Sequence, residues 1–465
     1  MNMKIKRFSL FFSILILSKV MIFAQPINHS QELADLISTK KWFEIENYYQ
    51  QYKDSLDSEF VLLWYLAETG NAFNRSDEAI KAYEKLIDNN PLDMDILTLI
   101  SLFGQPLLQL CANVHEYAKG EEICQKFITI LERDTAIDTD TRLSVIEGFT
   151  EAIESFKLFP KTYPKLLKIT KNEADNIGEI KLILPTLRND ILFKAKWNGI
   201  GLRTIFDTGS AAEAYIYNRA IAEKIGVKLN TADTIITNES YRGSIRMLTG
   251  VIDNLELGDF NIKNVTVFVS IETIDSTDSF QVRCDSLVNS MFDIVLGIPI
   301  IKQLGVIEFD FIKNTMSFSQ KTKNINKRNL YIENNLLFMN VQVCNADFLN
   351  HFDTGNSDMS INTDFYENHK QCISIASQIT REFAGLGACS EANVKYREMY
   401  NCPQIEIEIN DQIITIINGF DVAKDKENDN VQGADGGGFI GNTIFKYCKK
   451  ATFDFDNMVF YVEKW

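Results

Sequence analysis

The chain has 465 residues, 45% of them hydrophobic and 24% charged, with 23 Gly and 8 Pro. That composition excludes a collagen-like or disordered polymer and leaves room for two or three domains, each with its own core. The 47 Lys and Arg against 63 Asp and Glu give a net charge of −16, which repels nucleic-acid phosphates and anionic lipid, so no nucleic-acid partner is expected.

The first predicted element is a targeting segment. Lys4, Lys6 and Arg7 form a basic start, Phe8 to Leu17 and Val20 to Phe23 an apolar middle, and Ala24 a small residue before the polar break at Gln25-Pro26. This order predicts a signal peptide over residues 1–24 and export to a periplasmic, secreted or cell-surface location. An uncleaved anchor is the competing reading, since a snorkelling Lys19 could lengthen the span. Cleavage removes Lys4, Lys6, Arg7 and Lys19 and takes the net charge from −16 to −20. No later segment reads as apolar enough to span a bilayer. Export makes the eight Cys candidates for disulfides, in pairings the sequence leaves open. There is no Cys-x-x-Cys or His-Glu-x-x-His, and the four His are scattered, so neither metal nor cofactor is expected.

Residues 25–175 carry a helical period. Phe60, Leu63, Trp64 and Ala67 recur at spacings of three and four, as do Ala79, Ala82, Tyr83 and Leu86. Ala67, Ala79, Tyr83 and Pro91 fall where a tetratricopeptide repeat places small, small, aromatic and proline residues, and Leu99 to Leu131 reads as a degraded neighbour. The region therefore resembles a short tetratricopeptide-like array, with an ordinary helical bundle as the alternative. Its net charge of −11 argues against a basic inhibitory pro-region. A protein partner is one expected use of it.

After Asp175 the period changes to that of strands. Ile180 to Leu184, Ile191 to Trp197, Val265 to Ile271, Phe338 to Val343, Ile405 to Ile409 and Ile413 to Ile417 are short runs rich in branched residues. Asn198-Gly199, Leu257-Gly258-Asp259 and Asn410-Asp411 supply turns between strands. Two lobes are predicted, residues 176–322 and 323–465, because this half repeats itself. Phe206-Asp207-Thr208-Gly209-Ser210 returns as Phe352-Asp353-Thr354-Gly355-Asn356; Leu296-Gly297 returns as Ile440-Gly441, and Phe309-Asp310-Phe311 as Phe453-Asp454-Phe455. A lone Asp-Thr-Gly is weak evidence, but two copies with the same sequel at matching distances do not arise by accident.

Two such loops meeting across a pseudo-twofold axis would bring Asp207 and Asp353 within hydrogen-bond reach. Carboxylates that close share one proton, so one can take a proton from water while the other donates to a substrate carbonyl. At these residues the chain resembles the aspartic proteases of the pepsin and retropepsin type. The resemblance implies an all-β bilobal fold of two retropepsin-like barrels, peptide hydrolysis by an Asp207/Asp353 dyad, and a site formed within a monomer. It implies loop support from Thr208, Gly209, Ser210, Thr354, Gly355 and Asn356, the last standing where the family carries Ser, Thr or Ala. Flap candidates are Tyr241 and Gly243 in the first lobe and Gly385 and Gly387 in the second. The competing reading is a noncatalytic scaffold that holds a peptide or ligand on the same fold.

Overall fold

The computed structural model describes residues 28–90, 92–157, 166–168, 176–184, 190–239, 243–271, 276–319, 327–383, 395–428 and 437–465. The expected signal peptide and Pro91 lie outside these residues. The chain divides into two compact units, Met1–Thr162 and Tyr163–Trp465.

The first unit is helical: α1 (His29–Ser38), α2 (Trp42–Tyr52), α3 (Glu59–Ala72), α4 (Ser76–Asn89), α5 (Ile96–Leu99), α6 (Gln105–Asn113), α7 (Tyr117–Arg133) and α8 (Thr139–Lys157). Local chemistry sets the ends of α3 and α4. The Ser58 hydroxyl accepts the Val61 N–H at 3.3 Å at the start of α3, and Asn90 closes α4 in the left-handed region at φ 37°. Helices α3 and α4 approach through small residues: Ala67 and Ala79 are fully buried, and a Cβ on Gly70 would lie 3.0 Å from that of Ala79. Between α5 and α6 the chain widens into a π turn, Ile100–Gly104, directly before Pro106, which has no N–H for a regular helical bond. The run Ile96–Asn113 has a mean hydropathy of 1.4 and is long and apolar enough to cross a bilayer, contrary to expectation. Its Leu99, Ile100, Phe103, Leu107, Leu110 and Cys111 nevertheless pack into the core of the unit.

The second unit is mainly β. Its first half contains β1 (Leu166–Lys168), β2 (Asn176–Lys181), β3 (Leu192–Trp197), β4 (Ile200–Asp207), β5 (Ala214–Ile216), α9 (Arg219–Lys224), β6 (Lys228–Glu239), β7 (Gly243–Leu257), β8 (Phe260–Ser270), α10 (Ser279–Met291), β9 (Ile294–Gly297), α11 (Ile298–Ile301), β10 (Val306–Asp310) and β11 (Thr315–Ser319). The second half follows with β12 (Leu330–Glu333), β13 (Leu336–Val343), β14 (Ala346–Asp353), β15 (Met359–Ile361), α12 (Thr363–His369), β16 (Gln378–Phe383), β17 (Lys395–Ile409), β18 (Gln412–Ala423), β19 (Gly438–Gly441), β20 (Cys448–Asp454) and β21 (Val459–Lys464). In the first lobe β8-β5-β9-β4-β3-β7 close into a six-strand barrel, since β7 also pairs with β8; in the second, β13-β14-β19-β15-β18-β17 close in the same way. A helical region followed by two β barrels is the architecture expected from the repeat.

A separate five-stranded sheet, β2-β11-β10-β20-β21, joins the lobes through the antiparallel pair β10 and β20. The two Phe-Asp-Phe segments lie here. Phe453 is fully buried, with ring centres 5.8 Å from Phe206, 6.1 Å from Phe309, 5.4 Å from Phe352 and 4.7 Å from Phe460. Aromatic rings from both lobes thus share one core. Asp310 and Asp454 take turn roles: Asp310 accepts the Lys313 N–H at 2.8 Å and Asp454 the Asn457 N–H at 2.9 Å.

Cys344 and Cys372 form a disulfide with Cα atoms 6.1 Å apart. Cys111, Cys124, Cys402 and Cys448 are buried free thiols, and burial pushes those of Cys111, Cys124 and Cys448 up to about 12. Phe453→Ala is expected to cost the β unit about 3–5 kcal/mol, because its partners come from both lobes and cannot collapse together. A lowered urea midpoint for that unit, with the helical unit unchanged, is the measurement that checks it.

Candidate active site

Strand β4 carries the apolar pair Ile205-Phe206 into Asp207 and lies parallel to β9, with Asp207 in register with Gly297. Strand β14 repeats the arrangement, with Asp353 in register with Gly441 on β19. Both glycines are required by close approach. A Cβ on Gly297 would fall on the Ala212 and Ser210 carbonyls, and one on Gly441 on those of Asn356 and Asp358. Backbone bonds complete the support: Ile298 N–H donates to Ser210 O at 3.0 Å and Asn442 N–H to Asn356 O at 2.7 Å.

The two Asp-Thr-Gly loops lock into each other through their threonines. Thr208 Oγ1 donates to Phe352 O at 2.7 Å and accepts the Thr354 N–H at 2.9 Å. Thr354 Oγ1 donates to Phe206 O at 2.7 Å and accepts the Thr208 N–H at 3.1 Å. Both threonines are fully buried, so these bonds do not compete with water.

This lock brings the carboxylates together. Gly209 N–H donates to Asp207 Oδ1 at 2.9 Å, and Gly355 N–H donates to Asp353 Oδ1 at 2.8 Å. A Cβ added to Gly209 would overlap the Asp353 carboxylate, and one added to Gly355 would overlap that of Asp207. Each glycine therefore holds its own carboxylate on its N–H and the opposite carboxylate over its α-carbon. Asp207 and Asp353 are partly exposed while the threonines beneath them are sealed. Two carboxylates so placed can share a proton and act as an acid and base pair.

The residues after each glycine turn back on their own loops. Ser210 Oγ donates to Ala212 O at 3.5 Å, and Asn356 Oδ1 accepts the Asp358 N–H at 3.0 Å. The first-lobe hairpin β6–β7 is paired as far as Glu239 and Gly243, which places Gly243 at its end. In the second lobe β16 and β17 pair as far as Phe383 and Lys395. Tyr241, Gly385 and Gly387 lie outside the described residues.

Several residues around the loops were not singled out by motif. Arg203 on β4 holds Asp293, just ahead of β9, through its backbone N–H at 2.8 Å and its guanidinium at 2.8 Å. Partial burial disfavours the Asp293 charge, but these bonds and the Arg203 charge outweigh it and hold the carboxyl below its usual range. Asn442 donates to Thr354 O at 3.1 Å and to Asp190 Oδ1 at 3.2 Å, across the lobes. His351, two residues before Asp353, packs between the rings of Phe338 and Phe439, and burial pushes it down to about 4, so it is a neutral ring near pH 7. Asp190 could have been found by counting, since it stands 17 residues before Asp207 as Asn335 stands 18 before Asp353.

Comparison with known families matches residues 193–300 to the aspartyl protease family. The matched stretch runs from β3 into α11 and contains Asp207, Thr208, Gly209 and Gly297. No curated protein matches the chain. The β unit has the bilobal aspartic-protease fold, and the family match supports aspartic-protease activity in general.

Thr208→Val is expected to cost about 1–3 kcal/mol, because it strips partners from the buried Thr354 N–H and Phe352 carbonyl. Denaturant titration of the β unit reads this directly. Arg203→Met should lower the melting temperature at pH 7, where Asp293 is ionised. Since the native Asp293 pKa lies below that of the unfolded chain, this contribution exists above the unfolded value and disappears as pH falls through the native one. Melting curves of the two proteins should therefore converge toward pH 3.

Proposed function

We propose that the protein is an exported aspartic endopeptidase in which Asp207 and Asp353 activate water against a peptide bond. The carrying observation is the reciprocal seating of each carboxylate over the opposite glycine. In this reading one carboxylate is ionised and takes a proton from a water held between the pair. The water oxygen bonds to the peptide carbonyl carbon, and the protonated carboxyl gives its proton to the carbonyl oxygen. Collapse of the resulting diol breaks the C–N bond as the amine receives a proton. No covalent enzyme intermediate forms.

Support residues take their parts from the geometry. Thr208 and Thr354 fix the spacing of the loops, Gly209 and Gly355 admit the carboxylates, and Ser210 and Asn356 shape the turns that follow. The β6–β7 and β16–β17 hairpins, with Tyr241, Gly243, Gly385 and Gly387, serve as flaps over an extended peptide substrate. Both Asp-Thr-Gly loops come from one chain, so the site forms within a monomer. The helical unit acts as a tetratricopeptide-like surface for a protein partner or for the substrate. Support for that role comes from the α3–α4 pair, where Ala67, Ala79 and Tyr83 are fully buried at the crossing. The leader over residues 1–24 directs export.

The test is cleavage of an unfolded protein mixture from pH 3 to pH 8 by the wild type, Asp207→Asn and Asp353→Asn. Loss of at least about 100-fold in each variant is expected, the scale of positioned acid–base catalysis. Cleavage that persists in both variants excludes the dyad. A folded wild type with no cleavage anywhere in that range favours the noncatalytic scaffold.

A further inference from the structure

Hairpin tips are ordinarily wet, yet Asn335 at the β12–β13 turn is only 6% exposed. Its backbone is left-handed at φ 57°, following Asn334 at 53°, so the turn drives its side chain into the protein. There Asn335 Nδ2 donates to the carbonyl of Ala211 at 3.3 Å, in the loop that begins at Asp207. Its Oδ1 accepts from Lys302 Nζ at 3.4 Å. Lys302 is itself buried, at 7% exposure, directly after α11. Its N–H bonds to Ile298 O at 2.9 Å, and Ile298 N–H bonds to Ser210 O. Lys302 thus reaches the same loop twice, by backbone through Ser210 and by side chain through Asn335 and Ala211.

The other lobe does this differently. Lys446, which stands where Lys302 stands in the repeat, is exposed. The second loop is reached by Asn442, which bridges Thr354 O to the buried Asp190. An ammonium therefore sits on the bridge to the Asp207 loop and a carboxylate on the bridge to the Asp353 loop.

We infer that Lys302 is a positioning residue for the Asp207 loop, acting through Asn335 and the Ala211 carbonyl and making the two halves of the dyad inequivalent. The inference rests on the proteolytic reading above. A methionine would fill the Lys302 site without a buried charge, and burial pushes this ammonium down from 10.5 to about 8, so the cation carries a stability cost there. A charge retained at such a cost beside a reactive loop is the pattern of a functional residue.

The experiment compares the wild type, Lys302→Met, Asn335→Ala and the double variant on a fluorogenic peptide at acid pH, with melting temperatures taken at pH 6. Lys302→Met should melt higher than wild type while its kcat falls roughly 10- to 100-fold, the scale of a displaced reactive group, with KM little changed. Asn335→Ala should lose kcat similarly, and the double variant should be no worse than the poorer single one, since both changes break the same chain of contacts. Wild-type kcat in Lys302→Met, or a fall in its melting temperature that accounts for the lost activity, overturns the inference. Asp207→Asn runs alongside: wild-type activity insensitive to that change overturns the proteolytic reading and this inference together, whereas sensitivity to Asp207→Asn with indifference to Lys302→Met overturns the positioning role alone.

Discussion

The β unit is organised around an exchange of hydrogen bonds between two threonines. Each hydroxyl, Thr208 and Thr354, accepts an N–H from the opposite loop and donates to the carbonyl before the opposite aspartate. Neither loop can satisfy those groups alone, and both are sealed from water, so a lobe by itself would leave buried polar atoms without partners. The exchange also fixes a distance. With the backbones joined at Thr208 and Thr354, Gly209 and Gly355 come against the opposite carboxylates, and only a residue without a Cβ fits. The acid and base pair follows from the lock, and the lock follows from two side chains that can donate and accept at once.

The rest of the unit delivers the loops to that meeting. Parallel pairing of β4 with β9 and of β14 with β19 sets each aspartate level with a glycine, so the next strand can pass close behind the loop. The Phe-Asp-Phe strands then bury Phe206, Phe309, Phe352 and Phe453 together beneath it. Arg203 and Asp293 pin the exit of α10 to the edge of β4.

Much of this was legible in the sequence because it is repeated. Strands β3, β8 and β13 and the turns at Asn198-Gly199 and Asn410-Asp411 follow from branched residues and local turn chemistry, and Gly297 and Gly441 follow from their fixed distance to Asp207 and Asp353. Elements lacking that local or repeated signal were harder to read. Helix α10 has a weakly apolar face and no counterpart in the second lobe, so the strand pattern passes over it. Ile96–Asn113 escaped as a long apolar stretch because its π turn and Pro106 interrupt the helical period. Asp190, Lys302, Asn335 and Asn442 are isolated polar residues whose meaning is set by contacts across the lobes, at sequence separations no local pattern encodes.

The sheet that spans β10 and β20 has one more consequence. Each lobe contributes a strand whose partner belongs to the other, so the open edge that a half-length protein would offer to a second copy is already filled within the chain. Assembly of the paired loops is then governed by the covalent connection between lobes, which acts as a fixed effective concentration. Dilution, which would dismantle a site built from two separate chains by mass action, leaves this one whole.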